Sequence, residues 1–254
     1  MAYTRYIALG DSMSIDLYPA LDAGEIDVAV ALEWDSGAGA VAPLGAASLL
    51  HKNADDRHPE FAGRDLVSRF PGITHLNVAE DGATIGDVFG SQLAQIPASD
   101  DPTLLTLSVG GNDLLSAFSN RPKPELLQRI VEDIGEAYEF LVESLRGTFP
   151  NGTLLLTTIY DPSDDTRRVP GVFDGDGPLP LEPLHELNER IRTIARNTPR
   201  AAVADAYRRF LGHGVTAGEQ DRWYWKRSWI EPNVRGASEI RRSWLDALAG
   251  IAEN

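Results

Sequence analysis

Short apolar runs alternate with helical periodicities along this 254-residue chain. The runs fall at residues 6–9, 73–78, 104–109, 154–159 and 201–204. Such brief, nearly unbroken apolar stretches are the pattern of parallel strands covered on both faces. Between them, Phe61, Leu66 and Phe70 mark one helix, and Ile85, Val88, Leu93 and Ile96 another. The longest periodicity covers 124–149, with Leu126, Leu127, Ile130, Ile134, Tyr138, Leu141 and Leu145 at helical spacing. Residues 184–194 and 240–251 complete the set. Strand then helix, five times over, predicts a doubly wound α/β sandwich on a five-stranded parallel sheet. No internal repeat or Ser/Gly linker divides the chain, so residues 1–254 read as a single domain.

Two stretches break the alternation, 18–58 and 161–183, and loops of that length in a compact domain are commonly functional. In an open α/β sheet, reactive groups gather beyond the carboxyl ends of the strands. Composition narrows the chemistry. With 43% hydrophobic and 24% charged residues the chain is an ordinary globular one. It contains no cysteine, which excludes disulfides, thiolate metal sites and a thiol nucleophile. A net charge of −15 argues against nucleic acid and anionic membrane surfaces as partners. No apolar run approaches the ~20 residues of a membrane span. The N-terminus lacks the marks of a signal peptide, so a cytoplasmic location is the expectation.

Three strand ends carry the candidate chemistry. The first strand runs into Gly10-Asp11-Ser12-Met13-Ser14, where a glycine permits a tight turn and a serine projects beside a helix N-terminus. Such a place suits a nucleophile, because helix-end N–H groups stabilise an oxyanion. The second leads into Asn77 to Thr84 with Gly82 among them, and the third into Gly110-Gly111-Asn112-Asp113.

In these blocks, ALGDSMS at 8–14, Gly82 and SVGGNDL at 108–114, and in the stretch before the last helix, the chain resembles the SGNH, or GDSL-like, hydrolases. The resemblance implies a flavodoxin-like three-layer α/β/α fold and hydrolysis of small-molecule esters, whether lipid, aryl or carbohydrate acyl esters. It implies Ser12 as nucleophile and an oxyanion hole from the N–H groups of Ser12 and Gly82 with the Asn112 side chain. No cofactor or metal is implied.

The last block departs from the family's Asp-x-x-His-Pro. It reads Ser228-Trp229-Ile230-Glu231-Pro232, with Glu231 in the histidine's place and Ser228 in the aspartate's. Three readings stand. Glu231 is the base, its ordinary pKa of about 4.3 against about 6.5 for histidine raised by burial against Trp229 and neighbouring aromatics. Or His213, between two glycines, supplies the imidazole from another loop, with Glu231 orienting it. Or hydrolysis is lost and the fold only binds a ligand. The plainer alternatives are a carboxylate favoured near a helix N-terminus, with Asn233 as cap, and a loop histidine bonded to a carbonyl.

Other signals weigh less. Gly37 to Ala42 matches a loose dinucleotide pattern without its flanking strand. Asp174 and Asp176 resemble a calcium loop that lacks its other ligands. Trp223, Tyr224, Trp225 and Trp229 would line an acyl or sugar pocket, or pack the last helix. His51, His58, His75 and His185 read as structural or solvated.

Overall fold

The computed structural model describes residues 2–26, 41–120, 122–172 and 178–252. Residues 37–40 of the dinucleotide-like stretch and the pair Asp174 and Asp176 lie outside them. Five strands form one sheet: β1 (Arg5–Gly10), β2 (Thr74–Asn77), β3 (Thr103–Ser108), β4 (Thr153–Thr157) and β5 (Ala201–Ala204). All neighbours are parallel, as the apolar runs predict, and the order is β2-β1-β3-β4-β5.

Alternation along the strands builds two cores. Ile7, Leu9, Leu105, Leu107, Leu154 and Leu156 face one side of the sheet; Tyr6, Ala8, Leu104 and Leu155 face the other. In chain order the helices are α1 (Leu17–Asp22), α2 (Ala46–His51), α3 (Leu66–Arg69), α4 (Ile85–Asp87), α5 (Gly111–Ser119), α6 (Pro124–Thr148), α7 (Leu181–Asn197), α8 (Ala206–Phe210) and α9 (Val234–Ala252). The first face is covered by α6 and α7, through Tyr138, Leu141, Leu145, Leu187 and Ile191. The second is covered by α2 and α9, through Leu50, Ile240, Trp244 and Leu245. Three layers result, α/β/α.

The differences from expectation are local. The 61–70 periodicity is split into a 3-10 turn at Pro59–Phe61 and the single turn of α3, because Gly63 takes φ +72° between them. Residues 85–95 are helical throughout but pass from α to π to 3-10 turns. Several elements have no counterpart in the pattern: the short helices α1, α2 and α8, then α5, hidden behind Gly110-Gly111, and the antiparallel hairpin of β6 (Tyr224–Trp225) and β7 (Ser228–Pro232).

The strand order reverses between β1 and β3, the two central strands, and ligands of open α/β sheets bind at that reversal. There β1 and β3 end side by side, Gly10 opposite Ser108. Gly10 has φ +125°, and a Cβ on it would lie 1.9 Å from Ser108 O, so no other residue fits. Gln92 clamps the same residue: it accepts from Gly10 N–H and donates to Gly10 O, both at 2.8 Å, in full burial. That side chain comes from the π turn, whose extra residue per turn is a common device for re-aiming a functional group.

Gln92→Leu strands a buried Gly10 N–H, so urea unfolding is expected to show a loss on the order of 2 kcal/mol. A loss within experimental error would show that the clamp adds nothing.

Candidate active site

Past Gly10 the chain turns sharply. Asp11 N–H donates to Ser108 O at 2.9 Å, Met13 N–H to Asp11 Oδ1 at 3.1 Å, and Ser14 N–H to Asp11 O at 3.1 Å. The Ser14 and Ser108 hydroxyls share a hydrogen bond of 2.7 Å. Ser12 is thereby held at the strand end, 8% exposed, and among the described residues its N–H has no hydrogen-bond partner.

The loop after β2 comes to the same place. Glu80 N–H donates to Gly10 O at 3.0 Å, and Gly82 follows with φ +70° and an N–H that is likewise unspent. Two consecutive residues of α5 hold this loop. Asn112 Nδ2 donates to Ala83 O at 3.0 Å, and Asp113 accepts from Ile85 N–H at 3.2 Å. One Asn112 amide hydrogen is committed to Ala83, leaving the second for a ligand.

Glu231 lies in β7, 7% exposed. Burial pushes its carboxyl up to about 8; the nearby Ser12 hydroxyl pulls down, and the negative charges of Asp81 and Asp11 add to the rise. Glu231 Oε2 has no hydrogen-bond partner among the described residues. Asp11 is raised to about 7, chiefly by burial, against hydrogen bonds from Met13 N–H and the Ser108 hydroxyl. A carboxylate at its ordinary pKa would titrate below a histidine; this one titrates above.

Ser12, Asn112 and Glu231 line one cavity of about 90 Å³. Its other walls are mostly apolar, among them Leu115, Phe118, Ile159, Leu184 and Ile230. At about 10–15 Å³ per water-sized sphere, it has room for a short acyl group. Tyr160, also on the wall, donates to Ile230 O at 2.7 Å and so ties the Glu231 hairpin to the end of β4.

The structure does not bring His213 to this cavity. Its ring stacks on Trp223 at 3.6 Å and pairs through Nδ1 with Asp221 O at 2.9 Å. Gly82 is not on the cavity wall either; it reaches the site through the Asn112–Ala83 bond. The aromatic cluster packs elsewhere. Trp223 and Tyr224 are buried against Phe210, Trp225 meets Tyr18, and Trp229 lies 4.0 Å beneath the Arg222 guanidinium. Asn233 does cap α9, accepting from Gly236 N–H at 2.8 Å, but Glu231 precedes it in a strand. Residues that sequence reasoning passed over are Gln92, Asp113, Tyr160 and Asp11. Asp113, within the quoted Gly-Gly-Asn-Asp block, and Asp11, within the quoted Gly-Asp-Ser block, carried a signal.

A serine, a buried carboxyl and unspent N–H donors at a switch point form a site of the acyl-hydrolase kind. The comparisons agree. An acetylxylan esterase from Geobacillus stearothermophilus superposes with a TM-score of 0.61 at 14% identity, covering 97% of this chain and 94% of the other. An extracellular lipase from Streptomyces rimosus gives 0.55 at 19%, covering 97% and 99%. Phospholipase A1 from Streptomyces albidoflavus gives 0.56 at 18%, covering 98% and 99%. At these identities the likeness speaks to the fold. No curated protein sequence matches the chain. The chain belongs to the GDSL-like lipase/acylhydrolase family, whose profile matches residues 35–238.

The raised Glu231 carboxyl has a consequence for stability. Between its ordinary pKa of 4.5 and about 8, the folded chain keeps a proton that the unfolded chain has released. Stability therefore falls as pH rises through that window and levels off above it. Glu231→Gln removes the effect, so the variant is expected to match wild type near pH 4. By pH 9 it should exceed wild type by on the order of 2–4 kcal/mol in urea unfolding. A difference that does not change with pH would show that Glu231 ionises as freely as in water.

Proposed function

We propose that this chain hydrolyses a small carboxylic ester through an acyl-enzyme on Ser12, with Glu231 as the base. The observation that carries the reading is that Ser12, Asn112 and the buried Glu231 carboxyl line one cavity, with the Ser12 hydroxyl near enough to pull the raised Glu231 pKa down. Glu231, once ionised, takes the hydroxyl proton as Oγ bonds to the ester carbonyl carbon. The carbonyl oxygen becomes an oxyanion that the Ser12 and Gly82 N–H groups and the free Asn112 amide hydrogen stabilise, each such donor worth on the order of 3 kcal/mol. The proton held by Glu231 passes to the leaving alkoxide. Water, deprotonated by the same carboxylate, then attacks the acyl carbonyl and releases the acid and Ser12.

The environment supports this division of labour. A base works best with a pKa near the working pH, and burial lifts Glu231 into that range without an orienting aspartate, whose place Ser228 takes. The apolar walls favour an ester whose acyl part is a short hydrocarbon chain. Among the described residues no helix is long and apolar enough to cross a membrane, and the substrate is read as a small molecule. The contrary reading, binding without turnover, draws on the unpartnered Oε2, since a carboxyl left neutral at pH 7 is a poor base.

Fluorophosphonate labelling and hydrolysis of short p-nitrophenyl esters decide between them. Wild type is expected to label at Ser12 and to turn over, with kcat lower by roughly 10³-fold or more in Ser12→Ala. Glu231→Gln should lose about 10²–10⁴-fold, and His213→Ala should keep wild-type activity. Turnover absent in wild type across acyl lengths, with Ser12 unlabelled, would leave only the binding reading.

A further inference from the structure

Within residues 222–242 the chain carries Arg222, Lys226, Arg227, Arg235, Arg241 and Arg242 against two carboxylates, Glu231 and Glu239, in a protein of net charge −15. A polar cavity of about 530 Å³, separate from the one at Ser12, opens between the β6–β7 hairpin, the first turns of α9 and the Pro59–Phe61 turn. Arg222, Lys226, Arg235 and Arg242 all line it.

Some polar atoms of its wall residues are unpartnered. His58, 8% exposed, is on the wall, and its Nε2 has no hydrogen-bond partner among the described residues. Arg222 Nε likewise has none, while Arg222 Nη2 donates to Ala217 O at 3.1 Å and the guanidinium stacks on Trp229. Lys226 is exposed and forms no ion pair within 4.0 Å among the described residues. Behind the wall lies Arg241, 1% exposed and stacked 3.6 Å over the Phe61 ring. It donates to Asn53 Oδ1 and to Ser238 Oγ, each at 2.5 Å, and Ser238 is itself on the wall. No described carboxylate lies within ion-pair distance of it, and the charges of Glu60 and Glu239 act on it from further off. A buried guanidinium so thinly balanced draws negative charge toward it.

The acidic residues on the wall are largely taken up. Glu239 pairs with Arg242 at 3.1 Å and with Arg209, Glu60 lies 3.9 Å from Arg242, and Asp22 accepts from Val234 N–H at 3.3 Å. Glu219 alone has no such partner among the described residues.

We infer that this cavity is a second binding site, for a small oxyanion such as a phosphate or carboxylate group, held by Arg222 and Lys226. A planar guanidinium fork and an ammonium match the oxygens of either group. The wall is the hairpin that carries Glu231. Asn233 Nδ2 donates to Arg222 O at 2.8 Å and to Tyr224 O at 3.3 Å, so an anion on Arg222 braces the base from behind.

The test is binding, and it needs no turnover, so it stands or falls apart from the ester chemistry. Inorganic phosphate and acetate are titrated in turn into the whole chain at pH 7, with chloride holding ionic strength constant, and tryptophan fluorescence is read. A saturable response to at least one of them is expected, at least tenfold weaker in the Arg222→Gln/Lys226→Gln double variant. Which probe saturates distinguishes phosphate from carboxylate. Should the double variant fail to fold, Lys226→Glu alone, at an exposed position, must weaken binding tenfold. Saturation by neither anion, or a variant affinity within tenfold of wild type, overturns the site.

Discussion

The contact on which the site depends is the approach of Gly10 to Ser108 at the C-terminal ends of the two central strands. A side chain there would lie 1.9 Å from a carbonyl oxygen, so the chain passes only as glycine. That closeness lets Asp11 N–H continue the ladder to Ser108 O and lets Ser14 and Ser108 bond hydroxyl to hydroxyl. Gln92 fixes the backbone of Gly10 from the other side. Ser12 is the residue that this turn leaves at the mouth of the cavity. A nucleophile on a rigid strand end loses little entropy on reaching its substrate, which is how the packing of two strands bears on chemistry.

Around that turn, interior polar groups are deployed at a cost to stability. Glu231 and Asp11 are buried near one another, and each carboxyl is raised by its surroundings. An apolar core would be more stable there; strained or desolvated groups concentrated at a working site are the usual trade of stability for activity. Asn112 and Asp113, neighbours on α5, spend two side chains on positioning the Gly82 loop. The hairpin holding Glu231 is tied to β4 by the Tyr160 hydroxyl and to α9 by Asn233. Glu231 is thus held from both sides, through Tyr160 and through Asn233.

Much of this was legible in the sequence. The five strands and the long helices were, because burial on both faces writes itself as short apolar runs and as helical stripes. Glycines at the strand ends marked the turns, and Ser12, Gly82 and Asn112 stood out within them through their resemblance to the GDSL-like hydrolase blocks. The hairpin was not legible: Tyr224 to Pro232 mixes aromatics, charges and a proline without alternation, and its pairing has an irregular register. Gln92 was hidden because a lone glutamine inside a helical stripe gives no hint that it reaches a strand 82 residues earlier. His213 looked available beside two glycines, yet it is held by stacking on Trp223, a contact between residues ten apart that no spacing rule announces. The rise of the Glu231 carboxyl was expected in direction, with burial as its largest cause.

The most direct test of Glu231 as the partner of Ser12 is the rate at which a fluorophosphonate inactivates the protein, followed from pH 5 to 10 in wild type and Glu231→Gln. The wild-type rate is predicted to rise about tenfold per pH unit and to level near the carboxyl's pKa of about 8. In the variant it should be slower by at least about 100-fold and flat across that range. Superimposable profiles, or a limb between pH 6 and 7 that vanishes in His213→Ala, would contradict the assignment.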